Sequence, residues 1–340
     1  MKRNCSIKPA LFFFSILLIA TCFFALYYGS YQMNPKQILN TLLGNGTPSQ
    51  HLAIWGIRIP RILVAIFVGI ALSCAGCTLQ TVTKNPLAEP GIIGINAGAT
   101  LGVVLLINAQ STTYYSVIGT GTLVLVPIVS LTGAALSSSL IYLLACKKGE
   151  LATNRLLLVG IGFNIGINAI ITLFQLAMDR GNFQQVLNWT NGSLWGTGFP
   201  YLLLIAPVTT LLFIILMIKS KTLDLLALGD ALALHLGVSV QKERKQLIFL
   251  VVLLSSVSVA VAGNIAFVGL LGPHIAHRIV GAAHRRKLIL GGLISGILVV
   301  FCDALSRNLF SPVEIPLGII LSLIGVPYFI FLLLKQRSSI

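Results

Sequence analysis

The sequence predicts an all-α, polytopic membrane protein with about ten transmembrane helices, and three observations carry that prediction. Of 340 residues, 56% are hydrophobic and 9% are charged, far below the roughly 25% charged residues of soluble domains. Long windows free of Asp, Glu, Lys and Arg include residues 9–35, 90–146, 156–178, 181–218, 246–277 and 315–334, and one span needs only about 20 residues. The basic residues stand between these windows rather than in one patch, so the formal charge of +15 is a topology signal and not the mark of a nucleic-acid partner. Backbone groups in lipid must be satisfied within their own segment, which selects helices.

With both termini in the cytoplasm, eighteen of the 23 basic residues lie inside, and only Lys36, Arg58, Arg61, Arg180 and Arg307 lie outside. The positive-inside rule favours this orientation. The first span covers residues 9–28; it is longer than the apolar core of a signal peptide and is read as retained. Residues 30–57 form an outer loop with a short helix around 36–43, opened by Asn34-Pro35. Spans two and three, 59–80 and 91–108, make a hairpin about Lys84-Asn85-Pro86-Leu87-Ala88-Glu89-Pro90. Gly94, Gly98 and Gly102 recur every fourth residue on its second arm, a spacing that admits a neighbouring helix backbone.

The fourth span covers 115–145 and the fifth 154–178. Gly160, Gly162 and Gly166 in the fifth are read as helix packing, because a dinucleotide fingerprint would need a preceding strand and a carboxylate about 20 residues on. Trp189, Trp195, Phe199 and Tyr201 suit an interfacial belt on the outer side, with a shallow helix at 183–189. The sixth span, 201–218, returns inside. Residues 222–238 are the one inner loop with its own apolar pattern: Leu223, Leu226, Leu232 and Leu236 fall at helical spacing, Gly229 splits the stretch into two short helices, and Gly237 ends the second. Spans seven to ten follow at about 244–262, 265–280, 288–306 and 316–335. Asp303 and Arg307 sit four apart near the outer end of the ninth and can pair. The 76–86 and 263–273 intervals match in opposite orientation, as in the inverted repeats of transporters.

Reactive groups are scarce. The six cysteines show no disulfide framework, and Cys74 and Cys77 read as small apolar packing residues. His274 and His277 are one turn apart without a further ligand, so no metal site is expected. There is no H-E-x-x-H, G-x-S-x-G or Walker A motif. The chain is therefore read as a transport subunit and not an enzyme. Near-absence of charge within the spans weakens the alternative of an ion-coupled carrier, which keeps ionisable residues at mid-membrane.

Three stretches then carry a resemblance. Arg58-Ile59-Pro60-Arg61, Gly76, Gln80, residues 84–90, Gly94 and Gly98-Ala99 resemble the first signature of the FecCD-type permeases, which serve ABC importers of iron-siderophores, haem and cobalamin. Leu228-Gly229, Ala233 and Leu236-Gly237-Val238 are similar to the coupling loop of that family. Phe267 to Leu270, Pro273-His274, Gly281, His284-Arg285, Asp303, Arg307, Glu314 to Gly318, Gly325, Pro327 and Phe329 resemble its C-terminal signature. Residues 55–335 are covered in order, with Glu89, Asn96, Asp230 and Ala283 as mild departures.

The resemblance implies a single permease domain over residues 1–340, with the fold of the cobalamin-importer permease, in the bacterial plasma membrane. It implies a second permease copy, identical or related, two ATPase subunits that bind ATP and Mg, and an extracytoplasmic binding protein, with no cofactor or metal on this chain. Arg58, Arg61 and Arg307 would dock the binding protein. Leu225, Leu226, Leu228, Gly229, Asp230, Ala233, Leu236 and Gly237 would couple to the ATPase. Asn85, Pro86, Gly94, Gly98, Pro273 and His274 would form structural or gating turns, and substrate would pass the second, fifth and eighth helices. An iron-siderophore is the expected cargo, with haem or cobalamin as the alternative.

Overall fold

The computed structural model describes residues 7–29, 31–111, 120–147, 150–151, 153–310 and 313–337. Lys2, Arg3, Cys5, Lys148 and the first part of the fourth expected span, residues 115–119, lie outside them. The chain opens with α1 (Ile7–Tyr27), α2 (Pro35–Leu42) and α3 (Pro48–His51), then a π-helical turn (Leu52–Arg58) that runs straight into α4 (Ile59–Thr83). Pro35 and Pro48 open their helices at positions where the missing N–H has no intrahelical partner to lose. A 3₁₀ turn (Pro90–Ile93) leads to α5 (Ile95–Ser111), and α6 (Thr120–Ala145) follows. Two-residue strands, β1 (Cys146–Lys147) and β2 (Glu150–Leu151), pair antiparallel before α7 (Thr153–Leu176). Then come α8 (Arg180–Thr190), α9 (Phe199–Ile218), α10 (Ser220–Ala227), α11 (Asp230–His235), α12 (Val240–Ala262), α13 (Val268–Val280), α14 (His284–Asn308) and α15 (Leu317–Arg337).

Over its described residues, each of the ten expected spans falls on a helix. Among the described residues seven are long and apolar enough to cross a membrane: α1, the continuous run Pro48–Thr83, α6, α7, α9, α12 and α14. The other three are α5, α15 and α13. With 13 residues, α13 rises only about 20 Å, short of the roughly 30 Å hydrocarbon core. The reason is local. Gly263 ends α12 at φ 68°, residues 263–266 are non-helical, and Phe267 takes a left-handed φ of 68°, so the helix starts three residues later than the hydropathy pattern suggests.

Helix α4 is the axis of the bundle, packed by α14, α12, α13 and α9. Two apolar clusters extend along it, one built on Ala71 to Val82 and one on Ile62 to Leu72. Residues of α4 and α14 meet antiparallel: Arg61 faces Asp303, Gly69 faces Ser295 and Gly296, and Thr81 faces His284. A Cβ on Gly69 would lie 2.6 Å from the nitrogen of Gly296, so the two backbones touch. Glycine is required there by space alone.

The glycine stripe of α5 finds its neighbour in α6, where Gly98 abuts the carbonyl of Gly133 and Gly102 the carbonyl of Val129. Gly162 and Gly166 of α7 differ: nothing lies within 4 Å of a Cβ at either, and Leu158, Ile161, Ile165 and Leu173 beside them are exposed. Among the described residues, nothing packs against those two glycines. The matching intervals 76–86 and 263–273 touch directly: Gly76 abuts the Gly269 carbonyl, Gln80 Nε2 donates to Gly269 O at 3.3 Å, and the backbone N–H of Phe267 donates to Glu89. Cys74, Cys77 and Cys302 are buried free thiols, and Cys22 and Cys146 are free and half-buried.

Candidate functional site

Two polar clusters stand at opposite ends of the α4–α14 pair, in a bundle otherwise poor in charge. At the end holding Arg61, the first turn of α4, the last turns of α14 and the start of α15 converge. The Arg61 guanidinium donates from Nε to both Asp303 oxygens at 3.1 Å, from Nη2 to Asp303 Oδ1 at 2.9 Å, and from Nη2 to Glu314 Oε2 at 3.0 Å. Arg307 Nε approaches Asp303 Oδ2 at 3.3 Å, as the four-residue spacing predicts, and its Nη2 reaches the carbonyl of Ala25. Arg58 donates to the carbonyls of Leu26 and Tyr31 at the end of α1.

The sequence placed these arginines at an open lip, and the structure buries all three. Arg58 is 4% exposed, Arg61 5% and Arg307 6%. The physical cause is that a buried cation must be paired, and Asp303, Glu314 and the carbonyls closing α1 supply the partners. Glu314, with 28% of its side chain exposed, is the member open to solvent.

At the other end, α10 and α11 lie beneath α4, α12 and α14. Gly229, at φ 111°, separates them as the sequence predicts. This loop holds two carboxylates, and both are tied to the bundle. Asp224 Oδ1 accepts from the backbone N of His284 at 2.8 Å and lies 2.7 Å from its Nδ1. Asp230 pairs with Lys84 Nζ at 2.8 Å and with Arg244 Nη2 at 2.8 Å. Partial burial pushes the Asp230 carboxyl up, but the two cations outweigh it and hold the group below the ordinary carboxylate range. Lys219 Nζ reaches Glu243 Oε2 at 2.7 Å.

The leucines that share one helical spacing in the sequence divide in space. Leu223, Leu226 and Ala233 are buried, whereas Leu228, Leu232, Leu234 and Leu236 are each more than half exposed. Leu225 is half-buried and Gly237 exposed. The loop therefore presents an apolar underside while its ion pairs and inward leucines fix it above.

Of the residues read as turns, Asn85, Pro86 and Gly94 occupy connections, whereas Gly98 lies within α5 and Pro273 and His274 within α13, where the helix continues through them. Asn85 Oδ1 accepts from Leu87 N at 2.9 Å and shapes the turn after α4, while Lys84 caps that helix in a left-handed conformation. Pro86 is exposed on the same turn. Gly94, at φ 76°, ends the 3₁₀ turn. Pro273 is buried inside α13, and His274, half-buried, meets Tyr328 of α15 edge-on with centroids 5.9 Å apart. No group of three metal-ligating side chains occurs among the described residues. Sequence reasoning missed Asp224, His284, Lys84, Arg244 and Glu314 as partners. Only the i,i+4 pair carries a sequence signal, since the other contacts join residues 14 to 253 positions apart.

Comparisons with known proteins agree with this architecture. The model of the FecCD transport family matches residues 17–335. The chain is 41% identical over 327 residues, covering 95% of each, to the iron(3+)-hydroxamate import system permease protein FhuG of Bacillus subtilis. It is 38% identical to the iron-uptake system permease protein FeuC of the same organism, covering 98% of each. A solved inward-facing conformation of a metal-chelate type ABC transporter superposes with a TM-score of 0.84 at 30% identity, covering 96% of this chain and 99% of that one. The match of the family model over residues 17–335 and the identity to these relatives along nearly their whole length show that the chain belongs to the FecCD transport family.

Proposed function

We propose that this chain is the membrane permease of an ATP-driven importer that carries a ferric siderophore inward, powered by a separate ATPase. The observation that carries the proposal is the α10–α11 loop: an apolar underside of Leu228, Leu232 and Leu236, held rigidly to three bundle helices, suits a cytosolic motor. The relatives named for ferric hydroxamate and iron uptake support the cargo. ATP and Mg belong to two ATPase subunits, and this chain supplies the path together with a second permease copy. Both termini face the cytoplasm, on the side of the eighteen basic residues.

An extracytoplasmic binding protein docks at the other end. Because Arg61 is engaged internally, docking through the arginines exchanges the partly exposed Glu314 for an acidic side chain of the incoming protein. Glu314→Gln therefore strengthens binding-protein docking, and docking unchanged by this variant would count against the arginine role.

The decisive experiment is uptake of radioactive ferric hydroxamate into liposomes holding the permease, its ATPase and its binding protein. Uptake stops when the ATPase is made hydrolysis-dead and continues with a protonophore. Uptake that survives the dead ATPase and fails with the protonophore would identify an ion-coupled carrier.

A further inference from the structure

We propose that the α4–α14 pair is a rigid strut pinned at both faces of the membrane, and that Asp224 and His284 form its inner pin. In this role they are positioning residues that carry the motion of the ATPase to the docking lip. The inference rests on the function proposed above.

The geometry of the strut is unusually complete. Between Arg61 and Thr81 the helix rises about 30 Å, the thickness of the hydrocarbon core. At the outer end Arg61 holds Asp303 with three donor contacts. Midway, the backbones of Gly69 and Ser295-Gly296 touch. At the inner end Thr81 Oγ1 of α4 lies 2.7 Å from His284 Nε2 on the first residue of α14. A helix pair fixed at three levels, with no side chain to compress at the middle one, transmits displacement along its length instead of absorbing it.

The inner pin joins this strut to the loop. Ala283, at the N-cap of α14, has no side chain that can accept from the first turn. Asp224 of α10 performs that task from another element, taking the His284 backbone N–H and facing Nδ1 with the same oxygen. The negative charge also sits at the positive end of a 25-residue helix. Lys287 Nζ lies 2.9 Å from His284 Nε2; a cationic donor there assigns the proton to Nδ1, pointing at Asp224. The chain Lys287–His284–Asp224 is thus directional and complete. Asp230, meanwhile, ties the neighbouring helix α11 to Lys84 at the foot of α4 and to Arg244 of α12. A push on the loop reaches α4 and α14 through side chains that are already bonded.

The test uses the whole reconstituted transporter and reads the ratio of ATP hydrolysis with and without the binding protein. Stimulation of hydrolysis by the binding protein needs a physical path from the outer end of the bundle to the motor, so a broken pin removes it. Asp224→Ala lowers the ratio to unity, and co-purification of the ATPase reports whether that complex has assembled. Asp224→Asn keeps an oxygen for both His284 donors and retains at least half of the stimulation. Wild-type stimulation in the alanine variant overturns the proposal. Equal loss in both variants also overturns it, because an oxygen at position 224 that still accepts from His284 would then not be what carries the stimulation. Should the alanine variant fail to assemble, Thr81→Val, which cuts only the α4 arm, decides: a ratio halved or lower supports the strut, and an unchanged ratio refutes it. A wild-type complex that imports no ferric chelate would instead overturn the functional reading itself.

Discussion

Replacing Arg61 with methionine removes a guanidinium that is 94% buried and leaves its volume roughly filled. The side chain makes contacts of 2.9 to 3.1 Å to Asp303 and 3.0 Å to Glu314, and Asp303 has only 2% of its side chain exposed. Breaking a buried pair leaves an uncompensated charge and costs about 3–5 kcal/mol. Arg307 remains 3.3 Å from Asp303 and softens that cost, so the lower end applies, about 3 kcal/mol. Asp303→Asn disturbs both arginines at once, and a double-mutant cycle between positions 61 and 303 gives a coupling of about 2 kcal/mol. The assay is reversible unfolding in mixed micelles titrated with a denaturing detergent. A loss under about 1 kcal/mol for Arg61→Met, the value of an exposed pair, would refute the reasoning.

Three further outcomes follow from the packing. Glu89→Ala leaves the Phe267 N–H without its acceptor and lowers stability by about 1–3 kcal/mol, whereas Glu89→Gln keeps an acceptor and costs less; equal losses would show that the bond is unimportant. Gly76→Val drives a side chain into the Gly269 carbonyl and destabilises by more than about 4 kcal/mol, seen as loss of folded protein from the membrane; normal accumulation would contradict the close approach. Leu232→Glu combined with Leu236→Glu weakens association with the ATPase at least tenfold, about 1.4 kcal/mol, while permease stability changes little because both side chains are exposed. Unchanged association would remove the apolar underside from the account.

The sequence shows the fold wherever one dimension suffices. Hydropathy locates the helices, the four-residue glycine period marks the close face of α5, and Gly229 marks the break between α10 and α11, because each is a local property of the chain. It fails where a local signal is overruled. The start of α13 is displaced because Phe267 adopts a conformation that only its contacts with Glu89 and α15 justify. Charge told a similar story: Arg61 looks free on the outer side until Asp303 and Glu314, more than 240 residues away, are folded against it. The leucines of the inner loop share one period, yet half turn inward and half outward, since the short helices pivot at Gly229. Gly162 and Gly166 carry the spacing of a packing face and meet no neighbour among the described residues, which spacing alone does not show.

The central claim is that the exposed leucines of α11 seat a cytosolic motor. Its most direct test is labelling of Leu232→Cys, in a background without native cysteines, by a membrane-impermeant maleimide. Right-side-out vesicles stay unlabelled, inverted ones label fully, and the inverted ones are protected when the ATPase subunit is added. Labelling from the exterior, or labelling from the interior that the bound ATPase leaves unchanged, would contradict it.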